Sequence, residues 1–427
     1  SNPGSGGGTP GAIDKNNLLA PRRKKNHPSE KIKPPAARQG GKTKKEGEQM
    51  NPLALYLHIP FCKSKCLYCD FYSLSRGEET MDRYCAALSR HLAAWAPRAA
   101  GYTVDTVYFG GGTPSYLGHA RLASLLETVF RHYRVDPGAE ITLEANPDSV
   151  GGRGSAAALR AAGFNRVSLG LQSADDGELR AVGRVHTFAQ ATQAVEDLRA
   201  GGFDNLSLDL IYGLPGQELA GWGRTLERTA DLGPDHLSCY GLKVEEGTPL
   251  WRMRDSLDLP DDDLQADMYL DTVERLARRG DRQYEISNFA RPGRESRHNL
   301  KYWQLAPYAG FGPGAHSDFG GERYACVRDL EAYCRGIESD GDVLEQRTTI
   351  SRRERAVEYL MLGLRTVQGV SGQEFTAVAG LPFAPVETAL APFQGWGLAQ
   401  RENGRWRLTP RGFLVSNQII WAVLEAI

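Results

Sequence analysis

The chain has 427 residues, 51 Lys and Arg against 52 Asp and Glu, and a net charge of −1. That length and a hydrophobic fraction of 41% fit a globular protein with one large core and a small satellite domain, and no apolar run approaches the roughly 20 residues that span a bilayer. Residues 1–49 hold eleven basic and four acidic side chains, +7, leaving −8 for the rest; an acidic body argues against nucleic acid as a partner, because phosphate binding rests on clustered positive charge.

The chain opens with a Gly- and Pro-rich stretch carrying basic runs at 22–25 and 42–45. It has few apolar residues to bury and no apolar core of a secretory signal, and its prolines suit an amphipathic presequence poorly. It reads as a disordered basic arm or an added leader (1–49) outside the fold, in preference to a localisation or nucleic-acid patch. Seven cysteines, three clustered and the rest scattered, do not make a disulfide framework. A reducing, cytoplasmic setting is expected.

From residue 53 onward, β-type runs alternate with helical patterns. Strands are predicted at 55–59, 103–109, 140–145, 166–171, 205–211 and 236–242. Amphipathic helices are predicted between them at 80–95, 120–134, 155–162, 188–200 and 219–231. Such alternation builds a parallel sheet with right-handed crossovers, hence an α/β fold. Six units allow either a barrel, incomplete ones included, or a doubly wound open sheet. A helix at 261–279 and an extended stretch from Tyr284 follow. Beyond about residue 350 come helices at 351–364, 375–379 and 385–392, a hairpin at 397–409 turning on Asn403-Gly404, and a last helix at 413–425. This end resembles a small winged-helix module, and its helices lack the basic residues of a nucleic-acid reader. A lid or partner-docking role is expected instead.

Cys62, Cys66 and Cys69 follow the first strand in the string LHIPFCKSKCLYCDF. A structural zinc site wants four protein ligands, and no second Cys/His pair follows. Iron–sulfur clusters are also held by thiolates, and a four-iron cluster held by only three leaves one iron open to an outside ligand.

In parallel βα folds the chemistry gathers at the C-terminal strand ends. Gly110, Gly111, Gly112 and Thr113 follow the second strand, where glycines admit close approach and N–H groups are expected to face a carboxylate or phosphate. Glu144 ends the third strand. Gln172 and Ser173 end the fourth, with Arg184 one helical element later. Asp209 shares a face with Ser207 and Ile211 on the fifth. Each taken alone is as readily a structural hydrogen-bonding group; five at equivalent places of successive units form a pattern.

The three-cysteine loop, with Tyr68 before its last cysteine, resembles the radical S-adenosylmethionine (SAM) superfamily. With YFGGGTPS, EANP, LGLQS and LDLIYGLPGQ, it is similar to the coproporphyrinogen-oxidase-like branch, from about residue 53 to the C-terminus. The resemblance implies a (β/α)6-type partial TIM barrel at 50–290, a connecting segment at 291–349 and a winged-helix-like domain at 350–427. It implies a 4Fe-4S cluster on Cys62, Cys66 and Cys69 whose open iron SAM chelates, an electron donor, and cleavage of SAM to methionine and a 5′-deoxyadenosyl radical. By position it assigns SAM contacts to Tyr56, Gly112, Thr113, Glu144, Gln172, Arg184 and Asp209.

Two relatives in that branch differ in function. The oxygen-independent coproporphyrinogen III oxidase carries a fourth cysteine two residues after the third, where this chain has Phe71. A family of haem chaperones carries an HNxxYW motif, matched here by His298, Asn299, Tyr302 and Trp303. An imidazole is a common axial ligand of haem iron, and Tyr302 and Trp303 offer aromatic surface with polar tips. A core histidine with satisfied hydrogen bonds is the plainer reading of His298, and His316 is a second candidate. The resemblance therefore implies a haem chaperone that delivers to haem-accepting proteins such as respiratory enzymes, with any membrane association only through them. A porphyrinogen oxidase, or a radical SAM enzyme on another substrate, is the alternative. Cys239, Cys326, Cys334 and Cys85 read as small buried apolar residues.

Overall fold

The computed structural model describes residues 50–427; the basic arm at 1–49 lies outside the described residues. The six predicted strands form as β1 (Asn51–Ile59), β2 (Tyr102–Gly111), β3 (Val135–Ala145), β4 (Arg166–Gln172), β5 (Leu206–Tyr212) and β6 (His236–Gly241). The crossover helices are Glu78–Trp95, His119–His132, Gly152–Ala162, Phe188–Ala200 and Leu219–Asp231, with a further short helix, Asp176–Ala181, after β4.

Nine more strand segments follow, the last three of them forming the small C-terminal sheet. They are β7 (Arg282–Gln283), β8 (Asn288–Ala290), β9 (Tyr308–Phe311), β10 (His316–Phe319), β11 (Glu322–Cys326), β12 (Leu344–Thr349), then β13 (Val370–Ser371) and β14 (Ala399–Glu402), with β15 (Arg405–Leu408) closing the count. The large sheet runs β12-β11-β10-β9-β1-β2-β3-β4-β5-β6-β8-β7. Strands β1 to β6 keep chain order without reversal. A doubly wound sheet reverses its order where the helices change face; here the right-handed crossovers all land on one face, and the sheet makes a barrel wall. The wall stays open, because β12 and β7 are its edges. The stretch expected to be a connecting segment extends the same sheet: β9 runs parallel to β1, and β10 to β12 continue it antiparallel.

The strands alternate chemically across the wall. Leu55 and Leu57, Val107 and Phe109, Val167 and Leu169, and Leu208 and Leu210 belong to one core cluster with the helices. The residues between them point to the lumen side and are polar or aromatic: Tyr56 and His58, Thr106 and Tyr108, Glu140 and Glu144, Ser207 and Asp209. The lumen is therefore a polar chamber with an aliphatic jacket.

At the C-terminus, β13, β15 and β14 form a three-stranded antiparallel sheet beside the helices Arg352–Gly363, Gly372–Ala379 and Ala384–Gly395. The third helix runs through Pro392 rather than stopping there, because Val386 and Leu390 before it are buried and Phe393 after it packs on the core. The last predicted helix breaks at Val415 into Pro410–Leu414 and Ser416–Leu424, which lets Phe413 and Ile419 both reach the core. A buried charge cluster ties this end to the large sheet. Arg323 of β11 pairs with Asp318 of β10 at 2.8 Å and with Glu358 of the helix Arg352–Gly363, and Arg355 bonds Asp318 Oδ1 at 2.6 Å.

Candidate functional site at the barrel mouth

The cysteine loop leaves β1 at Ile59 and folds back over the strand ends. Its first turn is anchored by backbone bonds, Cys62 N–H to Leu74 O at 3.1 Å and Leu74 N–H to Pro60 O at 2.7 Å. The Gly-rich turn after β2 serves as its seat. Gly112 N–H donates to Ile59 O and Thr113 N–H to Phe61 O, each at 2.8 Å, and Gly111 N–H donates to Glu144 Oε2 at 3.1 Å. The expectation that these N–H groups face a ligand is corrected: they are spent on the cysteine loop and on Glu144. Gly112 is required by close approach, since a Cβ there would lie 2.7 Å from Phe61 O and 3.0 Å from Ile59 O.

The three thiols are free and half-buried. Burial pushes the Cys69 thiol up to about 12 and raises that of Cys62, so iron binding here must displace protons. Among the described residues no three His, Cys, Asp or Glu side chains gather around one point as a single ion requires. A cubane takes its thiolates at separate irons, so the donor set of three spaced sulfurs suits a cluster and not a lone zinc.

Around these sulfurs runs a hydrogen-bonded arc. Cys62 Sγ lies 3.3 Å from Thr113 Oγ1, and Asn146 Nδ2 donates to Thr113 Oγ1 at 3.1 Å. Arg184 Nη2 donates to Asn146 Oδ1 at 2.8 Å and to Gly170 O at 2.6 Å, and its Nη1 reaches Cys66 Sγ at 3.4 Å. Two of the three cysteines are thus joined through Thr113, Asn146 and Arg184, which arise from three different strand ends. A guanidinium and a hydroxyl aimed at sulfur suit electron-rich thiolates. Asn146 was missed as a site residue, although the EANP string holds it two places after Glu144; only the fold brings Thr113 and Arg184 to its two ends. On the outer side of the arc, Lys63, Cys66, Tyr116, Asp148 and His186 line a cleft of about 330 Å³, counting its open mouth.

The remaining expected SAM contacts face the lumen. Tyr56 donates to His58 Nδ1 at 3.0 Å, since His58 Nε2 must donate to the Tyr72 carbonyl at 3.2 Å; burial lowers His58 to about 4 and keeps it neutral. Tyr108 donates to Glu144 Oε1 at 2.6 Å. Asp209 accepts from Ser168 at 3.0 Å and from Ser207 at 3.4 Å, which answers the cost of a charge on a strand face. Gln172 sits where the β4–β5 register slips, with φ of 71°. A non-glycine residue in the left-handed region stores strain of a kind found at ligand sites. Ser173 faces away from this group, bonded to Glu178, and Tyr68 is sunk beside Arg184, with its hydroxyl pKa raised by burial.

The HNxxYW residues form the helix Arg297–Trp303. Its N-terminus is held by Glu140, which accepts from Arg297 N–H at 3.0 Å and His298 N–H at 2.9 Å. His298 is 0% exposed. Its Nδ1 lies 2.9 Å from Thr106 Oγ1, its Nε2 lies 2.8 Å from Tyr302 Oη, and its ring stacks on Tyr108 at 4.9 Å. Neither nitrogen is open to an iron in this arrangement, contrary to the axial-ligand expectation. Tyr302 packs edge-on to Tyr308, and half-buried Trp303 packs on the core. His316 begins β10 at the mouth and is half-buried. Cys239, Cys326 and Cys334 are buried and Cys85 is half-buried.

Known proteins show the same combination. The Radical SAM superfamily model matches residues 56–229, and the HemN C-terminal domain model matches 350–415. The structure of coproporphyrinogen III oxidase (HemN) from Escherichia coli, a radical SAM enzyme, aligns with a TM-score of 0.77 at 26% identity, covering 88% of this chain and 91% of that one. Fold and cysteine loop thus define a radical SAM protein of the HemN type. The haem chaperone HemW of Mycobacterium tuberculosis is 38% identical over 378 residues, 87% of this chain and 95% of that one. HemW of Bacillus subtilis is 34% identical over 373 residues, covering 86% and 98%. The chain belongs to the HemW family.

Proposed function

We propose that this protein is a haem chaperone: it binds haem and hands it to haem-accepting proteins such as respiratory enzymes, and it carries a 4Fe-4S cluster with SAM on the open iron. The observation that carries the reading is the match to HemW at 38% identity over 87% of this chain, against 26% to the oxidase structure. Phe71 agrees, standing where the oxidase pattern has its fourth cysteine. Among the described residues no helix is long and apolar enough to cross a membrane, in keeping with a cytoplasmic carrier that meets membranes only through its acceptors.

Cys62, Cys66 and Cys69 would hold the cluster, with Thr113 and Arg184 set against two of the sulfurs. Tyr56, Glu144, Gln172 and Asp209 would receive SAM from the lumen side. When bound, that pair supplies one-electron reduction of the sulfonium, with electrons from a redox protein. Acidic Glu144 and Asp209 suit the cationic centre of SAM, and the aliphatic jacket keeps bulk water from the wall.

The test is a haemin titration of the cluster-loaded protein, followed by mixing with an apo-cytochrome. A tight Soret-absorbing complex that yields its haem to the acceptor is expected. Failure to bind haemin, together with conversion of coproporphyrinogen under anaerobic reduction with SAM, would establish the oxidase instead.

A further inference from the structure

We infer that Tyr56, Tyr108 and Tyr302 form an oxidation relay, which passes a one-electron hole as a neutral tyrosyl radical between the HNxxYW helix and the barrel mouth. Such a relay belongs to the lumen wall and does not depend on the haem-chaperone reading.

The rings form one column. The β1–β2 register sets Tyr56 opposite Tyr108, and their ring centres lie 6.3 Å apart. Tyr108 stacks on His298 at 4.9 Å, and His298 meets Tyr302 edge-on at 5.1 Å. Towards the mouth, Tyr56 is 6.0 Å from His58, which stacks on half-buried Tyr72 at 6.4 Å. Electron tunnelling weakens steeply with distance, so a chain of adjacent rings moves a hole that one jump over the same span would not. Tyr56 and Tyr108, 7% and 2% exposed, sit in a cluster of their own with Ala315, apart from the aliphatic core. The middle of the column is thereby shielded from water.

Each phenol also faces a base. Tyr56 donates to His58 Nδ1 at 3.0 Å and Tyr108 to Glu144 Oε1 at 2.6 Å. Tyr302 Oη lies 2.8 Å from His298 Nε2, which accepts from it when the ring proton sits on Nδ1 towards Thr106. Phenylalanine would fill the same space without burying a hydroxyl, whose burial is costly unless it is partnered. Tyr133, in the helical layer, meets that need with a backbone carbonyl at 2.7 Å, a group that takes up no proton. Burial holds the Tyr108 and Tyr302 hydroxyls well above the ordinary phenol pKa. The phenols are therefore protonated at rest, and a buried cation radical would be unfavourable. A base within hydrogen-bond reach removes that penalty by taking the proton as the electron leaves.

The steps balance. A one-electron oxidant in the lumen, a carbon radical or a peroxide-derived species, takes an electron from Tyr302, and the phenolic proton moves to His298. Tyr108 then gives an electron to the Tyr302 radical and its own proton to Glu144, while His298 returns the first proton to Tyr302. Tyr56 and His58 repeat the exchange. A thiol of the medium supplies the final electron and proton at the mouth end, beside Tyr72.

An aminotyrosine incorporated at Tyr108, easier to oxidise than tyrosine and with its own EPR spectrum, tests the relay. Full-length protein without the cluster, so that no iron-bound electron refills the radical, is oxidised by flash-quench with tris(bipyridyl)ruthenium and persulfate. An aminotyrosyl radical is expected to form, and to form more slowly in heavy water than in ordinary water. In the double variant Tyr56→Phe, Tyr302→Phe it is expected to be lost, whereas Tyr333→Phe, outside the column, is expected to leave it intact. A radical that forms equally fast in the double variant would overturn the relay, and so would a rate unchanged in heavy water. Circular dichroism of each variant separates a broken column from a lost fold.

Discussion

Arg184 donates to the carbonyl of Asn146 at 2.8 Å while its other nitrogen lies 3.4 Å from the Cys66 sulfur. The amide is therefore the joint through which a guanidinium from beyond β4 is aimed at the cysteine loop after β1. Its other end holds Thr113 against Cys62. Gly170 makes room for the joint: a Cβ there would lie 2.9 Å from Asn146 Oδ1 and 3.1 Å from Arg184 Nη2.

Breaking the joint is expected to show in the cluster before it shows in the fold. Asn146→Leu frees both partners and weakens the donors at two sulfurs. Because such donors stabilise the more negative, reduced cluster, the midpoint potential is expected to fall by on the order of tens of millivolts. Asn146→Asp keeps an acceptor for Arg184 and is expected to shift it less. An EPR-monitored redox titration reads both; identical potentials in wild type and Asn146→Leu would refute the role.

Gly112→Ala probes the seat of the cysteine loop. The added methyl meets backbone oxygens of Phe61 and Ile59 at 2.7 and 3.0 Å, and backbone yields less readily than a side-chain tip. A loss of about 1–3 kcal/mol in stability is expected, with poorer iron uptake after reconstitution. Iron and sulfide content and a denaturant melt check it. Full cluster occupancy at unchanged stability would show that the loop is not seated on this turn.

Thr106→Val tests whether His298 is structural. Valine keeps the shape of threonine and removes the hydroxyl that lies 2.9 Å from His298 Nδ1. Loss of a buried hydrogen bond costs about 0.5–1.5 kcal/mol, so the unfolding midpoint should drop measurably. An unchanged midpoint would mean the ring is solvated.

Acid sensitivity follows from the buried histidines. His91, packed on Phe311 and 2.9 Å from Tyr333 Oη, has its pKa lowered by burial from 6.5 to about 4. Between those values the unfolded chain binds more protons than the folded one. Its contribution is whole above pH 6.5, shrinks as the pH falls, and stops changing below about 4. The slope is about 1.4 kcal/mol per pH unit inside that window. His58 and His186, also lowered to about 4, add in the same direction. Urea melts at pH 7, 5.5 and 4 should show His91→Gln losing less stability on acidification than wild type. Parallel losses would assign the effect to other groups.

The six strands and their helices were legible in the sequence because each repeats a local pattern: an apolar run, a Gly or Pro break, an amphipathic helix. The three cysteines were legible too, since a tight thiol loop is local. Whether the wall closed was not, because strand order is a matter of which distant segments pair; only the pairing of β9 with β1 showed that residues 291–349 extend the sheet.

The HNxxYW string named His298 from the sequence, yet a motif is silent about depth. The fold packs that ring on Tyr108 and between two hydroxyls at the interior of the wall, while His316, eighteen residues on, is left half-open at the mouth. Asn146 gives the same lesson in reverse: an unremarked amide becomes the link between Cys62 and Cys66 of the cysteine loop once three strand ends converge. By itself the sequence determined the thiols, the repeating βα units and the family to which they belong. Tertiary structure alone decided which polar side chains meet and which nitrogens remain available, because hydrogen bonding and burial depend on neighbours that are distant along the chain.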